Sequence, residues 1–284
     1  MTGVRIDAHQ HFWRLADRVG AWPPPELAAI HRDFMPTDLL PLLQAAGVGG
    51  TVLVQSLPTV ADTAFLLDLA DRHPFVLGVV GWVDLKAPDA AAQISHLARH
   101  PRLVGLRPML QDLADDWLDD PALDAAVAAM QPHGLCFDAL VRPRQLPALW
   151  RFARRHLDLP LVIDHAAKPA IAEVRLQPWQ DDLARLADLP QVHCKLSGLL
   201  TEAGGRPGLA ALQPYVHAVL QGFGVRRVLW GSDWPVLNLA GEYRAWLALC
   251  QALFDCVDPP LDSTARTALF GGNAQRFYRL PTPQ

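Results

Sequence analysis

Residues 4–12 read VRIDAHQHF, a short run in which apolar and polar residues alternate before it ends in two histidines. Side chains alternate along a strand, so His9 and His11 fall on one face, one pleat apart. Two imidazoles so placed can grip one divalent metal or one polarised carbonyl. Alone, His-x-His is a weak signal, because two partly buried histidines with ordinary hydrogen bonds produce it equally well. Its weight depends on what the rest of the chain brings to the same edge.

Further along, the apolar run Leu161-Val162-Ile163-Asp164 ends in His165, and Val228-Leu229-Trp230-Gly231-Ser232 ends in Asp233. Other runs are apolar almost throughout, such as TVLVQS at 51–56 and VLGVVGWV at 76–83, as expected of parallel strands buried on both faces. Strands are predicted at 4–12, 50–56, 76–85, 103–110, 135–141, 160–165, 192–198 and 227–233. Each is followed by a helical stretch, and eight such units are the count of a (β/α)8 TIM barrel, an α/β fold.

Helix punctuation agrees. Thr37-Asp38 opens a helix ending at Gly47, and Thr59 opens one through Asp71. Asp120-Pro121 supplies an N-cap with proline at the first helical position, and Gly134 closes that helix. Helices are also predicted at 208–223 and 241–254. An extra C-terminal helix, 262–278, is expected on the outside of the barrel. No linker or low-complexity segment divides the chain, so residues 1–284 read as one domain.

Composition sets bounds. The 284 residues are 51% hydrophobic with a formal charge of −4, enough for a large core and without the basic stripe of a nucleic-acid binder. No apolar run approaches the roughly 20 residues of a membrane span, and the N-terminus lacks a signal peptide's basic start and apolar stretch. A cytoplasmic chain is expected. Cys136, Cys194, Cys250 and Cys256 form no Cys-x-x-Cys pair and read as structural. Gly204-Gly205-Arg206-Pro207-Gly208 is not a phosphate loop, since no Lys-Ser/Thr follows it.

Four polar residues, His9, His11, His165 and Asp233, therefore end strands one, six and eight, where barrel enzymes keep their sites. Chance placement of core histidines would not favour that edge. Arg107 shares a strand face with Leu103 and Gly105, which suggests an inward cation; the competing role is a loop anchor. Lys168 just past strand six is a candidate for substrate oxygens. Trp13 and Trp82 are candidates for stacking on a sugar, although core packing is the commoner fate of a tryptophan. Gln55 and Ser197 are placed to hydrogen-bond hydroxyls. Two long connections, 12–34 and 199–208, follow strands one and seven and could serve as a lid or as ordered walls.

The motifs IDAHQHFW, DHAAKP, KLSGL, GSDWP and GGNAQRFY, in this order and spacing, resemble the amidohydrolase superfamily. They are most similar to its branch of sugar-lactone hydrolases, L-fuconolactonase-like and L-rhamnonolactonase-like. The resemblance spans nearly the whole chain. It implies a barrel, hydrolysis of a lactone, and functional roles for His9, His11, His165 and Asp233. The chain departs from two-metal members of the superfamily, which supply a bridging Lys or Glu from strand four and a His from strand five. Gly105-Leu106-Arg107 and Phe137-Asp138 stand there instead, and a guanidinium repels cations, so a two-metal site is not expected. One divalent metal, Zn2+, held by His9, His11, His165 and Asp233, and a metal-independent site both stay open.

On this reading Asp233 is the general base for water, with Arg107, the histidines and any metal stabilising the oxyanion. A metal-dependent decarboxylase and an aromatic-pathway lactonase use the same scaffold. Carboxylate-rich substrates of the latter call for more than one inward arginine, which favours a neutral sugar lactone. A binding barrel without turnover has no need of a base. Sugar identity and oligomeric state are left open.

Overall fold

The computed structural model describes residues 4–18, 22–205 and 208–283. Its strands are β1 (Arg5–Gln10), β2 (Val48–Val54), β3 (Val76–Gly81), β4 (Leu103–Leu106), β5 (Cys136–Ala139), β6 (Leu161–Ile163), β7 (Val192–Leu196) and β8 (Val228–Trp230). They form one parallel sheet in chain order. β1 and β8 close it beyond their ladders: His11 N donates to Trp234 O at 2.8 Å and Asp233 N to His9 O at 2.8 Å. Between and after the strands lie α1 (Pro36–Ala46), α2 (Val60–Arg72), α3 (Ala90–Leu97), α4 (Leu123–Met130), α5 (Leu146–Arg155), α6 (Trp179–Ala187), α7 (Leu209–Phe223) and α8 (Tyr243–Asp255). This is the (β/α)8 barrel. No described helix is long and apolar enough to cross a membrane.

Most of the strands stop short of their predicted C-terminal ends. His11, Gln55, Arg107, His165, Ser197 and Asp233 all lie past the last ladder residue. The ladder ends where backbone must turn to aim polar side chains inward, so the apolar pattern overruns it. In β1 the alternation also breaks: Asp7 pairs with Thr51 but Gln10 with Leu53, a bulge at Ala8–His9. Asp7 consequently leaves the face of His9. Its buried carboxylate accepts from His9 N (3.1 Å), Ser232 N (2.8 Å) and the Tyr243 hydroxyl (2.9 Å), tying the bulge to β8 and α8. Burial pushes its pKa up to about 6 against those bonds.

Helix starts follow the caps with two exceptions, the first being α1, which begins at Pro36 with Met35 as N-cap rather than at Thr37-Asp38. The Thr59 hydroxyl accepts from Asp62 N at 3.1 Å, capping α2. Asp120, expected to cap α4, instead accepts from Ala122 N within a turn, and α4 begins at Leu123.

The extra C-terminal helix is corrected in both shape and place. It is two short helices, α9 (Ser263–Thr267) and α10 (Asn273–Phe277), joined by a π-turn. Rather than lying outside, its end plugs the barrel's foot: Phe277, Tyr278 and Leu280 pack among Ile6, Val52, Val80 and Val162 of the interior. A Cβ on Gly271 would lie 2.5 Å from Val4 O, so only glycine lets the turn approach β1. Asn273 Nδ2 donates to Val225 O (2.7 Å) and Val228 O (2.6 Å), pinning the plug under β8. A second, larger apolar layer fills the space between strands and helices. The four cysteines are free; Cys136, Cys194 and Cys250 are buried and Cys256 is exposed.

Candidate active site

The strand ends bring three imidazoles around one carboxylate oxygen. Asp233 Oδ1 lies 3.3 Å from His11 Nε2, 3.7 Å from His9 Nε2 and 3.8 Å from His165 Nε2. All four residues are buried. Burial resists ionisation of Asp233, but the neighbouring His165, His11 and His9 outweigh it and hold the carboxyl well below its usual range. Burial depresses His165 to about 4 despite the nearby Asp233 and Asp164. His9 is lowered further, by burial and then by the Lys195 charge. At neutral pH an anionic Asp233 thus faces neutral His9 and His165.

Backbone strain places these groups. His165, Ala166, Ala167 and Lys168 have φ of 52°, 49°, 60° and 52°, a left-handed turn of four non-glycine residues, and Asp233 has φ 61°. Each such residue costs roughly 1–2 kcal/mol in regular left-handed helix. Specific bonds hold the turn: Lys168 N to His165 O (2.8 Å), and Trp179 Nε1 to Ala166 O (2.7 Å). The Ser197 hydroxyl meets His165 Nδ1 at 2.9 Å. The next residue, Gly198 (φ 63°), has room for no side chain, since a Cβ would stand 2.6 Å from His165 Nδ1. DHAAKP and KLSGL are therefore two halves of one device that fixes His165.

Arg107 points inward and is 2% exposed. Its Nη1 lies 3.3 Å from Asp164 Oδ2 and 3.4 Å from His9 Nε2, and Nη2 donates to Gln55 O. Gln55 Nε2 returns a bond to Arg107 O at 2.7 Å. Gln55 and Ser197 thus hold Arg107 and His165 from behind, and neither is among the residues that line the cavity.

That cavity, about 410 Å3, has His11, Arg107, His165 and Asp233 on its floor and Trp22, Lys168, Thr201 and Glu202 on its walls. Lys168 Nζ sits 3.6 Å from Glu202 Oε1. Arg142 also reaches the rim, a cation not anticipated from the strand ends. Trp13, expected against substrate, is fully buried instead. Its Nε1 donates to Arg32 O, and its ring packs edge-on to Trp22 and Phe34. Trp82 lines an adjoining cavity of about 420 Å3 that shares Trp22 and Met109 with the first. Both long connections form walls, through Trp22 and through Thr201 and Glu202; residues 19–21 and 206–207 lie outside the described residues.

Beneath the floor is a charged layer that the sequence reading does not pick out. Lys195, Asp138 and Asp164 are each 0% exposed. Lys195 Nζ donates to Asp138 Oδ2 at 2.6 Å and lies 3.0 Å from Asp164 Oδ1. The signal was present in the sequence: a lysine and two aspartates inside runs otherwise apolar enough to be buried strands.

The histidine–carboxylate cluster has the donors of a metal site. His11 Nδ1 meets Val54 O at 2.7 Å, so that nitrogen carries the hydrogen and Nε2 turns a lone pair toward Asp233 Oδ1. Two acceptors facing each other need a proton or a cation between them. His9, His11 and Asp233 lie close enough together to share one divalent ion. The second candidate group, His9, Asp164 and His165, already faces the Lys195 ammonium.

An amidohydrolase family model matches residues 6–280. The chain is 59% identical over 283 residues to an L-fucono-1,5-lactonase of Burkholderia ambifaria, spanning 98% of this chain and 97% of that protein. An L-fucono-1,5-lactonase of Burkholderia multivorans is 40% identical over 295 residues, 100% of this chain and 98% of that one. A crystal structure of a Burkholderia multivorans amidohydrolase with bound zinc superposes with a TM-score of 0.90 at 41% identity, covering 98% of this chain and 100% of the other. Matched from end to end, this chain belongs to the amidohydrolase family.

Proposed function

We propose that the protein is a lactonase that opens a sugar-acid lactone of the L-fucono-1,5-lactone kind to the aldonic acid. The observation that carries the reading is the cluster of Asp233, His11, His165 and Arg107 at the floor of one cavity, with His9 buried beside it. Its relatives of 59% and 40% identity, both L-fucono-1,5-lactonases, supply the substrate class.

A lactone is an activated ester, so the chain needs a base, an oxyanion partner and a proton for the leaving oxygen. Asp233, anionic and held through Oδ1 by the histidines, takes a proton from water as the water oxygen bonds to the lactone carbonyl carbon. Arg107 and the Nε2–H of His165, whose Nδ1 accepts from the Ser197 hydroxyl, receive the developing oxyanion. As the ring C–O bond breaks, Asp233 returns its proton to the departing ring oxygen. The new acid ionises and releases one proton to solvent. Lys168, Glu202 and Thr201 offer donors and acceptors for ring hydroxyls, and the exposed Trp22 offers an apolar face for ring C–H groups. His9, His11 and Asp233, with His165 beside them, would hold a single zinc ion, which when bound would polarise the carbonyl as a Lewis acid. The same reading makes residues 1–284 one barrel domain, working in the cytoplasm in carbohydrate catabolism on a small-molecule substrate, without nucleic acid or membrane.

A pH-indicator assay over a panel of aldonolactones tests this. Rapid acid release, fastest on L-fucono-1,5-lactone, is expected. No release from any lactone, with or without Zn2+, together with CO2 release from a small aromatic acid, would replace the reading with a decarboxylase.

A further inference from the structure

We propose that Arg18 is a positioning residue that sets the width of the catalytic cavity: a buried guanidinium behind the wall fixes Trp22 and Ser56 where they face the substrate. Both residues line the catalytic cavity and the adjoining one, Trp22 from the connection after β1 and Ser56 from just past β2. Arg18 itself lines neither. Its Nη1 donates to Trp22 O at 3.2 Å. Its Nη2 donates to Ser56 Oγ at 3.2 Å and to Asp62 Oδ1 at 3.3 Å. Asp62 lies in the first turn of α2, so one side chain clasps two loops and a helix.

The far end of the clasp is anchored in backbone. Asp62 Oδ2 accepts from Ser56 N (3.3 Å) and Leu57 N (3.2 Å), and Asp62 N donates to the Thr59 hydroxyl at 3.1 Å. The carboxylate thus fixes the turn after β2, and Arg18 carries that position across to Trp22. Packing acts the same way. The guanidinium sits 5.4 Å from the centre of the Trp13 ring, and that ring meets Trp22 edge-on at 5.2 Å. Trp13 is fully buried while Trp22 is 36% exposed, so Trp22 has a packed back and an open face.

Stability alone is a poor reason for this arrangement. The Arg18 and Asp62 side chains are 1% and 5% exposed, and they meet through one nitrogen and one oxygen rather than as a two-pronged pair. Arg18 Nε has no hydrogen-bond partner among the described residues. A buried ion pair of such geometry repays its desolvation badly, and an apolar pair of similar volume often holds a fold as well. An apolar pair cannot hold Trp22 O and Ser56 Oγ at fixed points, because that takes directional donors. The position of Trp22 does not depend on the ligand. Its effect on KM rests on the lactonase reading.

The test uses the double variant Arg18→Met/Asp62→Asn, which removes both charges and leaves an amide oxygen for the Ser56 and Leu57 N–H groups. On L-fucono-1,5-lactone, KM is expected to rise about tenfold with kcat within about twofold, as when binding shared by ground and transition states is lost. In a Trp22→Ala background the same two changes are expected to move KM less than about twofold, because the indole through which Arg18 acts is gone. A double variant that only melts earlier, or that shifts KM equally with and without the indole, overturns the proposal. 19F NMR of protein labelled with 5-fluorotryptophan reads the wall without substrate, the Trp22 signal being identified by its loss in Trp22→Phe. One Trp22 signal is expected in the wild type and a shifted or divided one in the double variant; an unchanged signal overturns the proposal. If the double variant does not fold, Arg18→Lys, which keeps the charge and loses the planar fork, takes its place with the same expectations. A protein inactive on every lactone but with a displaced Trp22 signal in the variant refutes the function and leaves this inference standing.

Discussion

At the mouth of the barrel, His11, His165, Arg107 and Asp233 crowd one cavity floor, with His165 and Asp233 on backbone held in left-handed conformations. At the foot, Phe277, Tyr278 and Leu280 close the barrel against Ile6, Val52 and Val162, with a short π-turn as the hinge into place. The mouth spends free energy on strain and desolvated charge. The foot recovers it by burying apolar surface at roughly 25 cal/mol per Å2. Between them lies the Lys195–Asp138–Asp164 layer, charged like the mouth and as fully buried as the foot. Variants at the mouth should then cost rate and spare stability, and variants at the foot should do the reverse.

Asp233→Asn should show the mouth's side most strongly. It keeps the shape and removes the base, so kcat should fall about 10²–10⁴-fold while Tm moves little. A variant retaining more than about a tenth of wild-type kcat would remove Asp233 from the role of base.

Phe277→Ala is the counterpart at the foot. Opening a cavity there should cost about 3–5 kcal/mol in denaturant unfolding, with kcat at 25 °C essentially unchanged. A large loss of kcat in folded protein would mean that the two ends are coupled more tightly than apolar packing explains.

Gly198→Ala sharpens the contrast, because it touches no reacting group. The new Cβ must displace the His165 ring, and misplacement of about 1 Å is worth about 10²-fold in rate. Stability should drop by about 1 kcal/mol from the positive φ. Equal activity in the variant would show that the His165 position is not set by this contact.

The smallest effect separates the ends by pH. Burial lowers His193, whose ring packs 4.6 Å from Phe277, from 6.5 to about 4. Between those values the unfolded chain binds the proton and the folded one does not, so stability falls as pH drops through the window. His165 at the mouth, also near 4, acts in the same direction. His193→Gln should reduce the loss of unfolding free energy between pH 7 and 4 by about 1–3 kcal/mol and leave turnover at pH 7 untouched. An unchanged acid profile would mean that His193 does not report on the foot.

Much of the mouth was legible in the chain. Period-two and continuous apolar runs mark strands, and polar residues that end such runs must sit at strand ends, so His9, His11, His165, Asp233 and Arg107 could be gathered by counting. Trp13 could not be placed that way. A tryptophan at a strand end can face the cavity or pack behind it, and the choice depends on Phe34 and Trp22, which reach it only after the loop folds back. The plug was likewise hidden, since a helix that seals a barrel and one that lies outside it carry the same apolar stripe.

By itself, the sequence determined the eight-fold alternation, the residues at each strand end and the family motifs, because these depend on local periodicity and on residue type. Tertiary structure alone decided that His11 and His165 turn Nε2 toward Asp233, that Lys195 stands behind His9, and that the C-terminal segment closes the foot. Those outcomes depend on atoms brought together from distant segments, such as Lys195 and His9, 186 residues apart along the chain. At that range a hydrogen bond is set by the three-dimensional packing of strands, which no local pattern encodes.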